Sequence, residues 1–451
     1  MSHGIAMKEH FKIPDQMHPT ETVDRARRHL PYRISAGLRT DADFQHVQAM
    51  LVLTRGCGKW MRPNIYRTAS VPIPGALRKN CLQFLHGDRH DAESLTAIAA
   101  DLSTVQVQAV NLLLSGSLKV LDNVLMVCVE DPGLWLTDFD GKSQYHSLCD
   151  PERLAEQTGL SVIDALPARD LIVGGKGFPL TPLPNWILFA DRDEKIATRS
   201  RLLVQIDDWL ELTYLPPSDG LDAELPAIRY LARPGLRLIN GLLKLIGGKS
   251  VHDDDEGHLA VQGKLISRLL EFLEVSLTEV TGSNTVDRKA WKATDQAIEL
   301  VVRTAKENQY LPQDVLCTVN HFLARQIQQF MQRFQRTKHN ERAFEVNELI
   351  FAGQGANNGF LRRLLATASP EIRQMSSNEF GIDENHVRLA TSCVLGLTHI
   401  DQLPANLPPI TGAEFPRLLG RLTPGRPANW RRLLLEMADY RPPTMKLREA
   451  V

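Results

Sequence analysis

The stretch RSRLLVQIDDWLELTYL, residues 199–215, decides how the rest of the chain is read. Leu202, Val204 and Ile206 alternate with their neighbours, and after a short interruption Leu210, Leu212 and Tyr214 do the same. That period of two predicts a pair of antiparallel strands, because successive side chains on a strand point to opposite faces. The interruption is Asp207-Asp208-Trp209, without the glycine that a tight hairpin ordinarily uses. Two carboxylates and an indole at such a turn call for a reason.

A second hairpin pattern, YRISAGLRTDADFQHVQAMLVLTRG, opens the first half of the chain at residues 32–56 and is followed by a third strand around Asn64–Val71. Helical periodicity then runs through Ala76–Leu85 and Ala92–Leu114, before the apolar strand run Val124–Glu130. Asp150 as N-cap, Pro151 in the first turn and Gly159 as stop predict a helix, and the strand LSVIDAL follows. After the 199–215 hairpin the order repeats. Helical segments are predicted at Leu225–Leu245, Leu265–Leu273, Ala290–Lys306 and Gln313–Phe334, then the strand NELIFAG, a helix, the strand IRQMSS and a helix from Glu384 to His399. Strands alternating with helices imply largely parallel sheets. The expected organisation is α/β, with a polar leader (1–33), two similar lobes in series (34–199 and 200–420) around a cleft, and a docked C-terminal tail (421–451).

Composition narrows the function classes. Among 451 residues, 52 basic and 53 acidic side chains leave a formal net charge of -1, so neither nucleic acid nor an anionic membrane is the expected partner. Cys57, Cys81, Cys128, Cys149, Cys317 and Cys393 stand singly, without the close pairs of zinc or redox motifs, and a reducing cytoplasm is the simplest setting. The first twenty residues lack an apolar core, and no run approaches the ~18 uninterrupted apolar residues of a membrane span.

Two glycine-rich stretches carry the candidate chemistry. In ARDLIVGGKGFPLTPLP, Gly174, Gly175 and Gly177 allow close approach of backbone to a ligand just after Asp170; the alternative is a tight connecting loop. In LIFAGQGANNGFLRRLL, a strand ends in Gly353 and Gly355 and a helix begins after Asn357 and Asn358, a turn whose N–H groups can cradle a nucleotide or merely connect two elements. VHDDDEGH (251–258) has the acidity of a calcium loop without its ligand spacing and reads as a solvated loop. His86 and His90 of HGDRHD, and Arg362 and Arg363, read as solvated surface groups.

Taken in order, LAEQTGL, ARDLIVGGKGFPLTPLP, HLAVQGK, GQGANNGFL, EFGID and LPANLPPITGA give the chain, from Ile34 to Ala413, a resemblance to anhydro-N-acetylmuramic acid kinases. The resemblance implies a two-lobed actin-like sugar-kinase fold, a cytoplasmic homodimer, ATP and Mg2+ as cofactors, and an amino sugar from peptidoglycan as the partner that is opened and phosphorylated. It makes Asp170 the general base acting on the attacking water. Gly174, Gly175, Lys176 and Gly177 fall on the substrate loop, with Lys176 where the family usually has Gln. Thr285 and Arg288 lie where it carries a sugar-side Thr-Gly-Arg, and Gly353, Gly355 and Asn358 match its adenosine loop.

Other motifs depart from the family. The first phosphate hairpin reads Thr40-Asp41-Ala42-Asp43-Phe44-Gln45-His46, with Gln45 at the family's carboxylate position, and the second reads Gln205-Ile206-Asp207-Asp208 in place of Asn-Ile-Gly-Gly. Leu231–Leu236 replaces a further glycine-rich loop, Glu130 and Asp131 stand for His-Gly, and Arg388 stands for a glutamate. Two aspartates where triphosphate oxygens pass repel them unless a metal intervenes, and either could hold magnesium only by letting phosphate past Trp209. The expectation is a family homologue with impaired or lost kinase activity and residual sugar binding. The alternatives are an active divergent sugar kinase and a structural partner in mixed dimers with an active relative.

Overall fold

The computed structural model describes residues 32–86, 91–116, 123–137, 142–192, 198–218, 226–246, 254, 256–280, 288–335 and 345–439. The chain divides into two compact units, the first formed by Met1–Gly177, Arg388–Asn406 and Ala413–Val451, the second by Phe178–Val387 and Leu407–Gly412. The units are therefore interleaved in sequence.

Unit 1 begins with β1 (Arg33–Thr40), β2 (His46–Arg55), β3 (Arg62–Pro72), β4 (Val124–Glu130), the small hairpin β5 (Leu134–Thr137) and β6 (Ser143–His146), and β7 (Ser161–Asp164). Unit 2 holds β8 (Arg201–Ile206), β9 (Trp209–Leu215), β10 (Arg229–Pro234), β11 (Glu348–Ala352) and β12 (Arg373–Ser376); β13 (Arg421–Thr423) returns to unit 1. The sheet orders are β13-β7-β4-β1-β2-β3 and β10-β9-β8-β11-β12. With β13 set aside, both run third-second-first-fourth-fifth. In each, the first three strands pair antiparallel and the last two join parallel. This duplicated arrangement, which the repeated hairpin-first order implied, is the actin-like α/β fold expected from the family resemblance.

Every residue of β9 is buried, polar Glu211 and Thr213 included, because both faces are covered. On one side Leu202, Val204, Ile206, Leu210 and Leu212 pack with Leu238, Ile239 and Leu242 of the helix Leu236–Ile246 and with Val319 and Phe322 of the helix Pro312–Gln335. On the other the helix Pro182–Phe189 reaches Thr213 through Asn185. Unit 1 has its own core, with Ala36, Leu38, Ala49 and Leu51 against Leu102, Val105 and Val110 of the helix Ala92–Leu114. That helix is long and apolar enough to cross a membrane, but most of its large apolar residues are buried in the unit 1 core.

Asp150, Pro151 and Gly159 act as predicted, Asp150 accepting from the Arg153 N–H at 2.9 Å and Gly159 closing the helix Pro151–Thr158 at φ 76°. The helix expected over Leu225–Leu245 is corrected. Arg229–Pro234 is strand β10, and the helix starts only at Leu236. Pro234 cannot continue an N–H ladder, so Pro-Gly punctuates the two elements. The expected tail is integral to unit 1: β13 pairs antiparallel with β7, and in the helix Pro427–Asp439 Asn429 donates to the carbonyls of Val124 and Leu125 and accepts from Ser161 N–H. The solvated reading of VHDDDEGH is corrected at Asp254, which is buried and accepts from the N–H groups of Leu259 (2.8 Å) and Ala260 (3.1 Å). Burial raises its pKa while those N–H groups pull it down. Residues 251–253 and 255, like His90, lie outside the described residues.

Candidate functional site

The loop that carries Asp170 leaves β7 through the short helix Ala168–Ile172. Asp170 is buried there, and both of its carboxylate oxygens accept N–H donors: Oδ2 from the Gly177 backbone at 2.8 Å, Oδ1 from the Asn406 amide at 2.8 Å. Gly175 donates to the Asp170 backbone carbonyl at 2.9 Å. A Cβ on Gly175 would lie 2.1 Å from Asp170 Oδ2, so this position has to be glycine for the carboxylate to sit where it does. Gly174 and Lys176 are exposed at the tip of the loop, and nothing lies within 4 Å of a Cβ built on Gly174. Gly177 packs against the Trp135 ring of β5, and Trp135 meets Tyr145 of β6 edge-on at 5.1 Å.

Asn406 escaped the sequence reading, although it lies in the LPANLPPITGA motif, because 236 residues separate it from Asp170. Its Oδ1 accepts from Arg417 N–H at 2.6 Å and its Nδ2 also donates to the Phe415 carbonyl at 3.2 Å. Gly177 and Asn406, the two donors to Asp170, are each the last residue of unit 1 before the chain leaves it. Thr285 lies outside the described residues; Arg288 opens the helix Arg288–Glu307, and its side chain is likewise outside them.

Asp131, at the family's His-Gly position, is tied into the β5–β6 hairpin. Its carboxylate accepts from Ser147 Oγ (2.6 Å), Tyr145 Oη (3.1 Å) and Leu148 N–H (3.1 Å). Burial raises its pKa in spite of these donors. The first hairpin turn is closed on itself: Asp41 accepts from the His46 N–H at 3.1 Å, and Phe44 is buried at φ 55°. Burial raises the Asp41 pKa against the pull of Arg39. The Gln45 amide is bonded to the Asp43 carboxylate.

In unit 2 the turn between β8 and β9 shows what Asp207 and Asp208 do. Their backbone carbonyls take the first N–H groups of the following helix: Leu236 N–H donates to Asp207 at 2.7 Å, and Gly235 N–H to Asp208 at 2.9 Å. The Asp207 carboxylate accepts from the Gln354 backbone N–H (3.1 Å) and from the Gln205 amide (2.9 Å). It has therefore turned onto the Gly353–Asn358 turn. Gly353 holds φ 85° there, and a Cβ on it would lie 2.5 Å from the Ile206 carbonyl and 2.7 Å from Asp207 Oδ1. Gly355 packs against Ile206 in the same turn. Asn358 caps the helix Gly359–Ala368, accepting from Leu361 N–H at 2.9 Å and donating to Asn320 at 2.9 Å. Glu384, also missed in the sequence, is buried and accepts from Asn357 Nδ2 (3.0 Å) and Ser376 Oγ (2.5 Å).

At this turn the amides that could meet a phosphate are already engaged. Helix N-termini and glycine-turn amides bind phosphate through free N–H groups. Here Leu236, Gly235 and Gln354 N–H are engaged by the hairpin, and the turn adds two carboxylates.

The model of the family described as anhydro-N-acetylmuramic acid kinase matches residues 37–425. Among curated relatives of that name, one from Picosynechococcus is 29% identical over 60% of this chain and 68% of its own length. One from Bordetella pertussis is 25% identical over 89% of this chain and 99% of its own, and one from Cupriavidus pinatubonensis is 26% identical over 80% and 92%. A solved structure, the activator of the 2-hydroxyisocaproyl-CoA dehydratase from Clostridium difficile with bound ADPNP, covers 81% of this chain and 94% of its own at 9% identity and a TM-score of 0.34, too low to carry an argument. With the family model spanning both units, and Asp170, its glycine loop and the Gly353–Asn358 turn each formed in the structure, the chain belongs to the anhydro-N-acetylmuramic acid kinase family.

Proposed function

We propose that this chain binds an anhydro amino sugar of the 1,6-anhydro-N-acetylmuramic acid type at Asp170 and has lost ATP-dependent turnover. The engagement of Gln354 N–H by the Asp207 carboxylate is the observation that carries the second half: a group of the chain itself holds a donor of the nucleotide loop. The first half rests on Asp170, whose two oxygens each accept one hydrogen bond and keep further acceptor capacity for a hydroxyl or a water. In the family's reaction that carboxylate takes a proton from the attacking water; here it serves as an acceptor for the sugar.

Calorimetry with the anhydro sugar, and separately with magnesium-ATP, tests the two halves. Heat of binding is expected with the sugar alone, and ADP release with both present stays at background. Micromolar binding of magnesium-ATP together with sugar phosphorylation overturns the proposal. One observation favours a second reading, a working divergent kinase: the base survives, held in place, although binding alone does not demand it. The same assay separates the two. We place the protein in the cytoplasm as a homodimer, with mixed dimers alongside an active relative as the alternative; light scattering alone and with such a relative distinguishes them. Six free cysteines and a near-zero net charge accord with that setting, away from nucleic acid and membrane.

A further inference from the structure

Two donors hold the Asp170 carboxylate, and they differ in kind. Gly177 N–H belongs to the same loop and moves with it, whereas Asn406 comes from a segment 236 residues away. The orientation of the Asn406 amide follows from its other partners. Arg417 N–H is a donor and fixes Oδ1; the Phe415 carbonyl and Asp170 Oδ1 are acceptors and fix Nδ2. A flipped amide would set oxygen against two acceptors and nitrogen against a donor. Asn406 is fully buried, so no water substitutes for these contacts without a cavity opening for it. The segment is tied to the Asp170 loop a second time, by Glu414 N–H donating to the Val173 carbonyl at 2.8 Å.

We propose that Asn406 is the positioning residue of the sugar site: it fixes the carboxylate plane of Asp170, and with it the direction of the lone pairs left for a ligand. The proposal deepens the sugar-binding reading and rests on it for its ligand. Its geometry also has a test that needs none. Gly175 N–H is bonded to the backbone of Asp170 and Gly177 N–H to its side chain, so the two amides report separately on the loop and on the carboxylate.

Hydrogen exchange of these two glycine amides is followed by NMR on the full chain labelled with 15N-glycine, in wild type, Asn406→Ala and Asn406→Gln. Gln keeps both functional groups on a stem one methylene longer, so it preserves folding better than Ala while moving the donor. If Asn406 positions Asp170, Gly177 exchange rises about tenfold or more while Gly175 stays within about twofold. Exchange that rises equally at both amides, or at neither, overturns the proposal, since it means loop loosening or no role. Calorimetry with 1,6-anhydro-N-acetylmuramic acid is the second arm: Asn406→Gln, with an unchanged melting temperature, is expected to bind about tenfold more weakly, the scale of a small misplacement. Unchanged affinity in that variant also overturns it. If the wild type binds no sugar, the sugar-binding reading fails, and the exchange arm alone decides whether Asn406 positions the carboxylate.

Discussion

Buried carboxylates in this chain are stabilised in two different ways. Asp170 is held by amide donors, whereas Asp401 is fully buried against a charge: Arg33 bonds both of its oxygens, Nη2 reaching Oδ2 at 3.0 Å, and Gly58 N–H adds a bond at 2.6 Å. Burial works against the charge on Arg33, yet the hydrogen bond and charge of Asp401 prevail and raise its pKa. Such a pair adds little over an apolar replacement, but removing one partner strands the other. Arg33→Met should therefore destabilise the protein by about 3–5 kcal/mol in urea unfolding, while the double variant Arg33→Met/Asp401→Leu recovers much of that loss. A single-variant cost below about 1 kcal/mol would show that water reaches Asp401 and that the pair is not buried in solution.

The β8–β9 hairpin is the element where sequence and structure part most instructively. Alternation at Leu202–Ile206 and Leu210–Tyr214 made the strands legible, because a strand's faces are written in its own residues. What the turn does was not legible, since Gln354 and Leu236 lie far along the chain from Asp207. The same distinction explains the correct Asp150 cap, a contact three residues long, and the unread Asn406 and Glu384, whose partners come from other segments. β10 is ambiguous in sequence for a local reason: Ile228–Leu231 suits either period, and Pro234-Gly235 alone marks the stop. Sequence placed the Asp207 carboxylate among phosphates; the structure places it on a backbone amide. Asp207→Gly should thus lower stability by about 1–3 kcal/mol, the scale of a lost hydrogen bond to a charged group. Asp207→Gly/Asp208→Gly should make magnesium-ATP binding measurable by calorimetry. It should not restore turnover, because Gln45 and the Leu231–Leu236 loop remain as they are. If the unaltered protein binds magnesium-ATP at micromolar concentration and Asp207→Gly abolishes it, these aspartates are metal ligands instead.

At the scale of the whole molecule the interleaving of the two units has a consequence for truncation. Ala413–Val451 follows a short excursion of the chain through unit 2, yet it belongs to unit 1 and completes it. Within it, Arg421 bonds both oxygens of Asp164 at 3.0 and 2.8 Å, and Asp164 is a buried carboxylate at the end of β7. Asn429 ties β4 to β7, and Arg417 N–H fixes the amide that holds Asp170. A chain ending at Gly412 loses all three at once, hydrogen bonds of about 1 kcal/mol each or more. For a unit of this size each kcal/mol moves the melting temperature by about 2–4 °C, so the truncated chain should unfold at least about 6 °C lower by circular dichroism. It should also lose sugar binding even below that transition, because Asn406 is no longer oriented. Arg421→Gln in the full chain separates the two effects: it should lower the melting temperature and leave sugar affinity within about twofold, as its partner Asp164 does not touch Asp170. A truncated chain that melts within about 2 °C of the full one would mean that the last segment is an appendage and that unit 1 closes without it.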